Sequence, residues 1–198
     1  MRYTALVFLI ALAGCGGHRV PGPPAVSPSS ATEQALAAYD ANKDGALDAK
    51  ELEQSPGLMA LLTALDKGPG GRLTADELTQ QLQSLRDSGV GVTRASCKVF
   101  LDGRPLAGAS SRYIPERFLG PSFKPATGTT DASGHASLVT EGEEDGIMPG
   151  LYRVEISKKD AQGRETIPAR YNTQTTLGCQ IGFATRSAGS DVVFQLKK

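Results

Sequence analysis

The sequence predicts an α+β protein made of two consecutive parts, a small all-α unit followed by an all-β unit. Three observations carry that expectation. Apolar residues recur at helical spacing through Leu85 and alternate with a period of two from Ser96 onward, and the change falls after the break Ser88-Gly89-Val90-Gly91. Charge divides at the same place. Residues 31–89 hold ten acidic and five basic side chains, a balance of −5, whereas residues 90–198 hold eleven acidic and fourteen basic, a balance of +3. The formal net charge of zero thus conceals an acidic helical part and a mildly basic one. Finally, short alternating segments in the second part are separated by turn signals at fairly regular spacing, the pattern of two packed sheets.

The chain opens on residues that stand apart from the fold. Residues 1–14 read as an export signal: Arg2 gives a positive start, and Thr4 to Ala13 form an apolar run too short to span a bilayer. The run ends in Leu12-Ala13-Gly14-Cys15, which resembles the lipobox of bacterial lipoproteins. That resemblance implies cleavage before Cys15, lipidation of its sulfur and acylation of the new amino terminus, a combination of chains that anchors stably where a single one does not. Gly16 follows where the family's retention signal would place an aspartate, which implies an outer-membrane or surface position in the cell envelope. Residues 15–30 then form a Gly-, Pro- and Ser-rich tether with no apolar period, and His18 lies within it as a solvated residue.

Residues 31–89 are expected to be helical. Ser30-x-x-Glu33 has the form of a capping box opening a first helix. It leads into Asp40 to Glu51, D-A-N-K-D-G-A-L-D-A-K-E, with oxygen-bearing side chains at positions 1, 3, 5, 9 and 12 and glycine at position 6. This fits D-x-[DN]-x-[DN]-G-x5-E without departure. A hard cation the size of calcium takes oxygen ligands at roughly 2.3–2.6 Å from a loop that turns sharply at its centre. The expected ligands are the side chains of Asp40, Asn42 and Asp44, the carbonyl of Ala46, Asp48 directly or through water, and both oxygens of Glu51. The loop is similar to that of the EF-hand family, with Asp48-x-x-Glu51 capping the exiting helix and Leu52 as its first apolar contact.

A second copy follows. Ser55-Pro56 marks an N-cap and first-turn proline, and Leu58, Leu61, Leu62 and Leu65 recur at helical spacing. The second loop is Asp66 to Glu77, D-K-G-P-G-G-R-L-T-A-D-E, closed by Thr74-x-x-Glu77 and a helix carrying Leu78, Leu82 and Leu85. Positions 3 and 5 are Gly68 and Gly70, so only Asp66, the Arg72 carbonyl, Thr74 and Glu77 remain as ligands, and this loop is expected to be a degenerate structural partner. Leu47 and Leu73 share position 8, where paired hands of this family form a two-stranded bridge. The offset of 26 residues between loops leaves little groove for gripping a target helix and points to calcium as a structural staple.

In residues 92–198, Cys97, Val99 and Leu101 share a face, and Asp102-Gly103 is a hairpin turn signal. Thr127 to Thr130, a turn at Asp131 to Gly134, and His135 to Thr140 are expected to form a second hairpin. Tyr152, Val154 and Ile156 line another face, as do Leu177, Cys179, Ile181 and Phe183, and Val192, Phe194 and Leu196 close the chain. Six or seven strands of this kind make an Ig-like β-sandwich. L-D-G-R-P-L-A-G-A, T-G-T-T-D-A-S-G-H-A-S-L, P-G-L-Y-R-V-E-I and I-P-A-R-Y-N occur in an order that resembles the transthyretin-like, carboxypeptidase-regulatory-like domains. The variety in planctomycete-type surface proteins, sometimes behind an EF-hand pair, is the most similar. Arg112 to Pro125 reads as an insertion in that pattern. The resemblance implies a structural or adhesive module and says little about activity. Cys97 and Cys179, each on an apolar face of an exported protein, are candidates for a disulfide, with two separate buried thiols as the alternative.

Composition excludes several classes. A balance of +3 with few aromatics is not a nucleic-acid footprint. The chain has two histidines and no G-x-S-x-G motif, and the acidic run Glu141, Glu143, Glu144, Asp145 lies in a glycine-flanked turn rather than as a spaced catalytic pair. The expectation is a non-enzymatic, calcium-binding envelope protein whose partners are the membrane, through its lipid, and an envelope protein or glycan. The alternative is a glycan- or protein-binding module that uses the sandwich loops, Arg170-Tyr171-Asn172 among them.

Overall fold

A computed structural model of the chain describes Gly22 and residues 25–65, 70–143, 145–183 and 191–198. Residues 1–14, expected to be an export signal, and Cys15, His18, Asp66 and Glu144 lie outside the described residues. Among the described residues, no helix is long and apolar enough to cross a membrane. The fold is α+β.

Helix α1 spans Pro28–Tyr39 with Ser27 at its N-cap. The expected capping box at Ser30 and Glu33 is therefore corrected, because the helix starts earlier. Proline at the first turn is preorganised for a helix start and loses no hydrogen bond there. Pro28 and the preceding Val26 are buried, so the end of the tether packs as part of the helical unit. Ser30 lies within the helix, its hydroxyl accepting a hydrogen bond from Gln34 Nε2 at 3.2 Å. Strand β1 (Ala46–Asp48), a 3₁₀ turn (Glu51–Gln54), helix α2 (Pro56–Ala64), strand β2 (Arg72–Thr74) and helix α3 (Ala75–Asp87) follow. The box expected at Thr74 and Glu77 is present in both directions, with Thr74 N–H donating to Glu77 Oε2 at 2.9 Å and Glu77 N–H donating to Thr74 Oγ1 at 3.3 Å. Leu47, Leu52, Leu58, Leu61, Leu73, Leu78, Leu82 and Leu85 are all buried in one cluster between these elements.

The second part contains β3 (Ser96–Leu101), β4 (Arg104–Pro105), β5 (Ser110–Pro115), β6 (Ala126–Thr129), β7 (His135–Ser137), β8 (Val139–Thr140), β9 (Gly150–Ser157), β10 (Gly178–Ile181) and β11 (Val192–Leu196). One sheet has the order β10-β9-β5-β6-β8 and the other β11-β3-β4, with β7 also pairing β3. The sheets pack face to face. Cys97 and Val99 from one meet Tyr113, Tyr152, Val154 and Ile156 from the other in a single cluster. At its centre the Tyr113 ring stands edge-on to Tyr152 at 6.1 Å and to Phe194 at 6.4 Å, a geometry that aligns ring edges with facing π-clouds.

Two expectations about these strands change. The segment Arg112 to Pro125 is not a simple insertion. Its first residues complete β5, which is bonded on both sides, to β6 and β9. The expected hairpin of residues 127–140 is split: after the turn at Asp131 to Gly134 the chain crosses to the other sheet, where Ala136 pairs with Cys97, and returns as β8 beside β6. Strand β11 pairs with β3 in parallel, with Val192 opposite Cys97.

The two parts share a core. Phe118, Leu119, Phe123, Leu151 and Phe183 of the second part are buried in the leucine cluster of the first. Helix α2 lies directly on β9 and β10. A Cβ built on Gly57 would stand 2.9 Å from the backbone nitrogen of Tyr152, and one on Gly178 would overlap the Pro56 carbonyl. The expected Ser55 side-chain cap is absent, and Glu116 replaces it. Its buried carboxylate accepts the Gly57 N–H at 2.8 Å, one of the unpaired donors at a helix start. Burial pushes the Glu116 carboxyl above its ordinary range, against the opposing pull of that N–H and of Arg153 and Arg117.

The expected disulfide is also absent. Cys97 and Cys179 are both buried thiols, on strands of different sheets, with Cys97 Sγ 3.7 Å from Ser111 Oγ.

Candidate metal centre

Helix α1 ends where its last N–H, that of Asp40, closes on the Leu36 carbonyl at 2.9 Å. The chain then reverses sharply. Lys43 adopts φ 60° and Gly45 φ 81°. No atom lies within 4 Å of a Cβ built at Gly45, so glycine is needed there for its backbone conformation and not for space.

Around that reversal the loop's oxygens point inward onto its own backbone. Asp40 accepts N–H groups from Asp44 (3.2 Å) and Gly45 (3.0 Å), and Asn42 Oδ1 accepts that of Asp44 at 2.9 Å. Glu51 reaches back across the loop: Oε1 accepts the N–H of Ala41 at 2.9 Å and of Asn42 at 3.2 Å, while Oε2 accepts that of Asp48 at 3.0 Å. Asp48 Oδ1 turns the other way and caps the 3₁₀ turn through the N–H groups of Lys50 and Glu51, at 2.8 and 2.9 Å. Asp40, Asn42 and Glu51 are thus drawn together at one end of the loop, and Asp48 has a second task.

Strand β1 holds the loop against its partner. Ala46 pairs with Thr74, Leu47 with Leu73 and Asp48 with Arg72 in an antiparallel bridge. Both leucines are fully buried, so the register is fixed by packing. That register brings Arg72 to the first loop, where its Nη2 lies 2.5 Å from Asp44 Oδ1. The same Asp44 oxygen accepts the Ala46 N–H at 3.1 Å.

In the second loop, Thr74 and Glu77 are engaged in the capping box that opens α3, Arg72 extends toward Asp44, and Asp66 lies outside the described residues.

The donor set of the first loop fits calcium in kind: hard oxygens, four acidic side chains and an amide around one glycine reversal, with the Ala46 carbonyl following. Among the described residues, no three His, Cys, Asp or Glu side chains are gathered closely enough to hold an ion. Like charges repel, and these carboxylates turn instead to backbone N–H groups and to the Arg72 guanidinium.

Other polar groups were legible in sequence only as types. Asp191 accepts the Ser96 hydroxyl, pairs with Lys98 Nζ at 2.8 Å and lies 3.8 Å from His135 Nε2. The serine proton is therefore held by a carboxylate rather than by an imidazole. Arg94 pairs with Asp145 at 3.0 Å across the acidic turn. Arg170 stacks over Tyr171 at 4.9 Å and donates to the Lys197 carbonyl at 2.5 Å, while the Tyr171 hydroxyl accepts the Lys197 N–H at 2.9 Å, so this pair fastens the end of the chain. A cleft of about 600 Å³ beside β5 and β9 is lined by Arg112, Glu155, Lys159, Glu165 and Asn172, and two of its charges, Arg112 and Glu155, approach each other at 3.7 Å. Sequence reasoning missed Glu116 and the Arg72 side chain. Neither carries a local signal, since each acts on a segment far away or across a bridge.

No family model, curated protein or solved structure matches this chain.

Proposed function

We propose that this is a calcium-binding protein of the cell envelope, lipid-anchored through Cys15, with an EF-hand pair joined to a transthyretin-like sandwich and a structural or adhesive role. One observation carries the reading. Both carboxylate oxygens of Glu51 face back into the first loop, onto the backbone of Ala41, Asn42 and Asp48, beside the side chains of Asp40 and Asn42. The pairing of Leu47 with Leu73 supports it, because it makes the two loops one unit. Bound there, calcium supplies positive charge that cross-links side chains otherwise in mutual repulsion. The chain does the rest. Asp40 stays fixed to Gly45, Glu51 ties the loop's end to its beginning, and α2 carries that closure onto β9 and β10. Calcium is a staple in this scheme, suited to the weak sites of extracellular modules, with dissociation constants of about 10⁻⁴–10⁻³ M.

Titration calorimetry of the full chain in mild detergent tests this. The expected result is close to one equivalent of calcium, abolished by Asp40→Ala. A wild-type chain that takes up no calcium at millimolar concentrations overturns the reading, and two equivalents overturn the assignment of the second loop as a silent partner.

A further inference from the structure

We propose that Arg72 is a built-in competitor of the cation, holding Asp44 in an ion pair that calcium must displace before the first loop can close. The inference rests on the calcium reading above and deepens it, because it assigns regulation of the same loop to a residue of the other one.

The contact is not a casual surface pair. Arg72 belongs to β2, and its backbone stands opposite Asp48 in a bridge whose central residues, Leu47 and Leu73, are fully buried. The guanidinium is therefore delivered to the first loop by the same packing that joins the two loops. It lies 2.5 Å from Asp44 Oδ1, and Asp44 is the fifth position of the loop, where a side-chain oxygen is needed for the ion.

The consequence is a graded affinity. The pair is partly exposed on both sides, with side-chain exposures of 45% and 36%, so it is a weak lock that a divalent ion at sufficient concentration opens. Its charge also opposes cation binding at short range and does so less at high salt. A loop with a complete ligand set thereby responds at higher calcium than its own residues would set.

The test compares the full-length wild type, Arg72→Gln and Lys43→Gln by calcium calorimetry, with melting in chelator to show that each variant is folded. Lys43 is an exposed cation within the first loop, so its replacement removes the same charge without removing the pair to Asp44. Arg72→Gln is expected to bind calcium about five-fold more tightly than wild type, the order expected for a partly exposed ion pair, and Lys43→Gln to change by less than about two-fold. As a second readout, the Arg72 guanidinium NMR signals should shift on adding calcium to the wild type. Equal or weaker binding by Arg72→Gln, or an equal gain in Lys43→Gln, overturns the proposal while leaving the calcium site standing. If neither wild type nor Arg72→Gln binds calcium, both readings fall. If only Arg72→Gln binds, the calcium reading falls for the wild-type chain, and Arg72 stands as the group that blocks the loop.

Discussion

The two parts of this molecule satisfy their polar groups in opposite ways, and the difference explains why one part reads as a site and the other as a frame. In the strand region the backbone is paired over long distances. β5 sits between β6 and β9, β11 lies along β3, and a core of tyrosines, valines and isoleucines fills the space between sheets. In the helical region the loop from Asp40 to Glu51 pairs with itself through side-chain carboxylates that occupy its backbone N–H groups. Those pairings hold the loop in shape from within itself. The frame, in turn, limits how far the helices can move, because α2 is in contact with the sheet along its backbone.

The sharpest way to break that picture is to push the two regions apart. Gly178→Ala places a methyl group against the Pro56 carbonyl, where neither backbone has room to yield. The expected loss is about 3 kcal/mol, at the upper end for overpacking, and denaturant unfolding should remain a single transition shifted to lower midpoint. Two separated transitions, with the later one at the wild-type midpoint, would show that the helical unit and the sheets unfold independently and that their common core does not couple them.

How much of this could be read from the chain depends on the range of the forces involved. Thr74 with Glu77, Asp102 with Gly103 and the alternation along Tyr152 to Ile156 are local patterns, and each marks the element it predicts. The first loop was legible because a coordination set is written into twelve consecutive residues. What escaped the sequence is long-range. The pattern Ser111 and Tyr113 inward, Ser110 and Arg112 outward identifies β5 as a strand, yet it is too short and polar to stand out from an insertion. The switch of β7 between sheets depends on Cys97 accepting Ala136 as a neighbour. Helix α1 begins at Pro28, behind Ser27, with Val26 buried just before it, and the capping-box pattern at Ser30 and Glu33 pointed past that start. The Glu116 cap on α2 joins residues 59 apart.

That cap gives a smaller effect with a definite sign. Glu116→Ala leaves the Gly57 N–H buried without an acceptor and is expected to cost about 2 kcal/mol. Glu116→Gln keeps an oxygen for the same donor and should be far milder, which separates loss of the bond from loss of the charge. Because burial raises the Glu116 carboxyl above its ordinary 4.5, the folded protein holds this proton more tightly than the unfolded chain does. Its contribution is full below pH 4.5 and is lost as pH rises through the raised value. The stability of Glu116→Gln relative to wild type should therefore increase as pH rises from 4.5 through the raised value. Parallel pH profiles for the two proteins would show that the carboxyl is not perturbed by its place between the regions.

The smallest effect expected is none at all, and it bears on the frame. A bridge between Cys97 and Cys179 would close a loop of about eighty residues and contribute on the order of 4–5 kcal/mol. The frame does not use it. Both thiols are buried among side chains that already pack without a covalent tie, and burial pushes the Cys97 thiol up, away from the reactive thiolate. Melting of the purified protein with and without a strong reductant should give the same midpoint. A drop of several degrees would mean that the sheets are cross-linked after all. The coupling between helices and sheets would then have to be measured again on a frame much stiffer than packing alone provides.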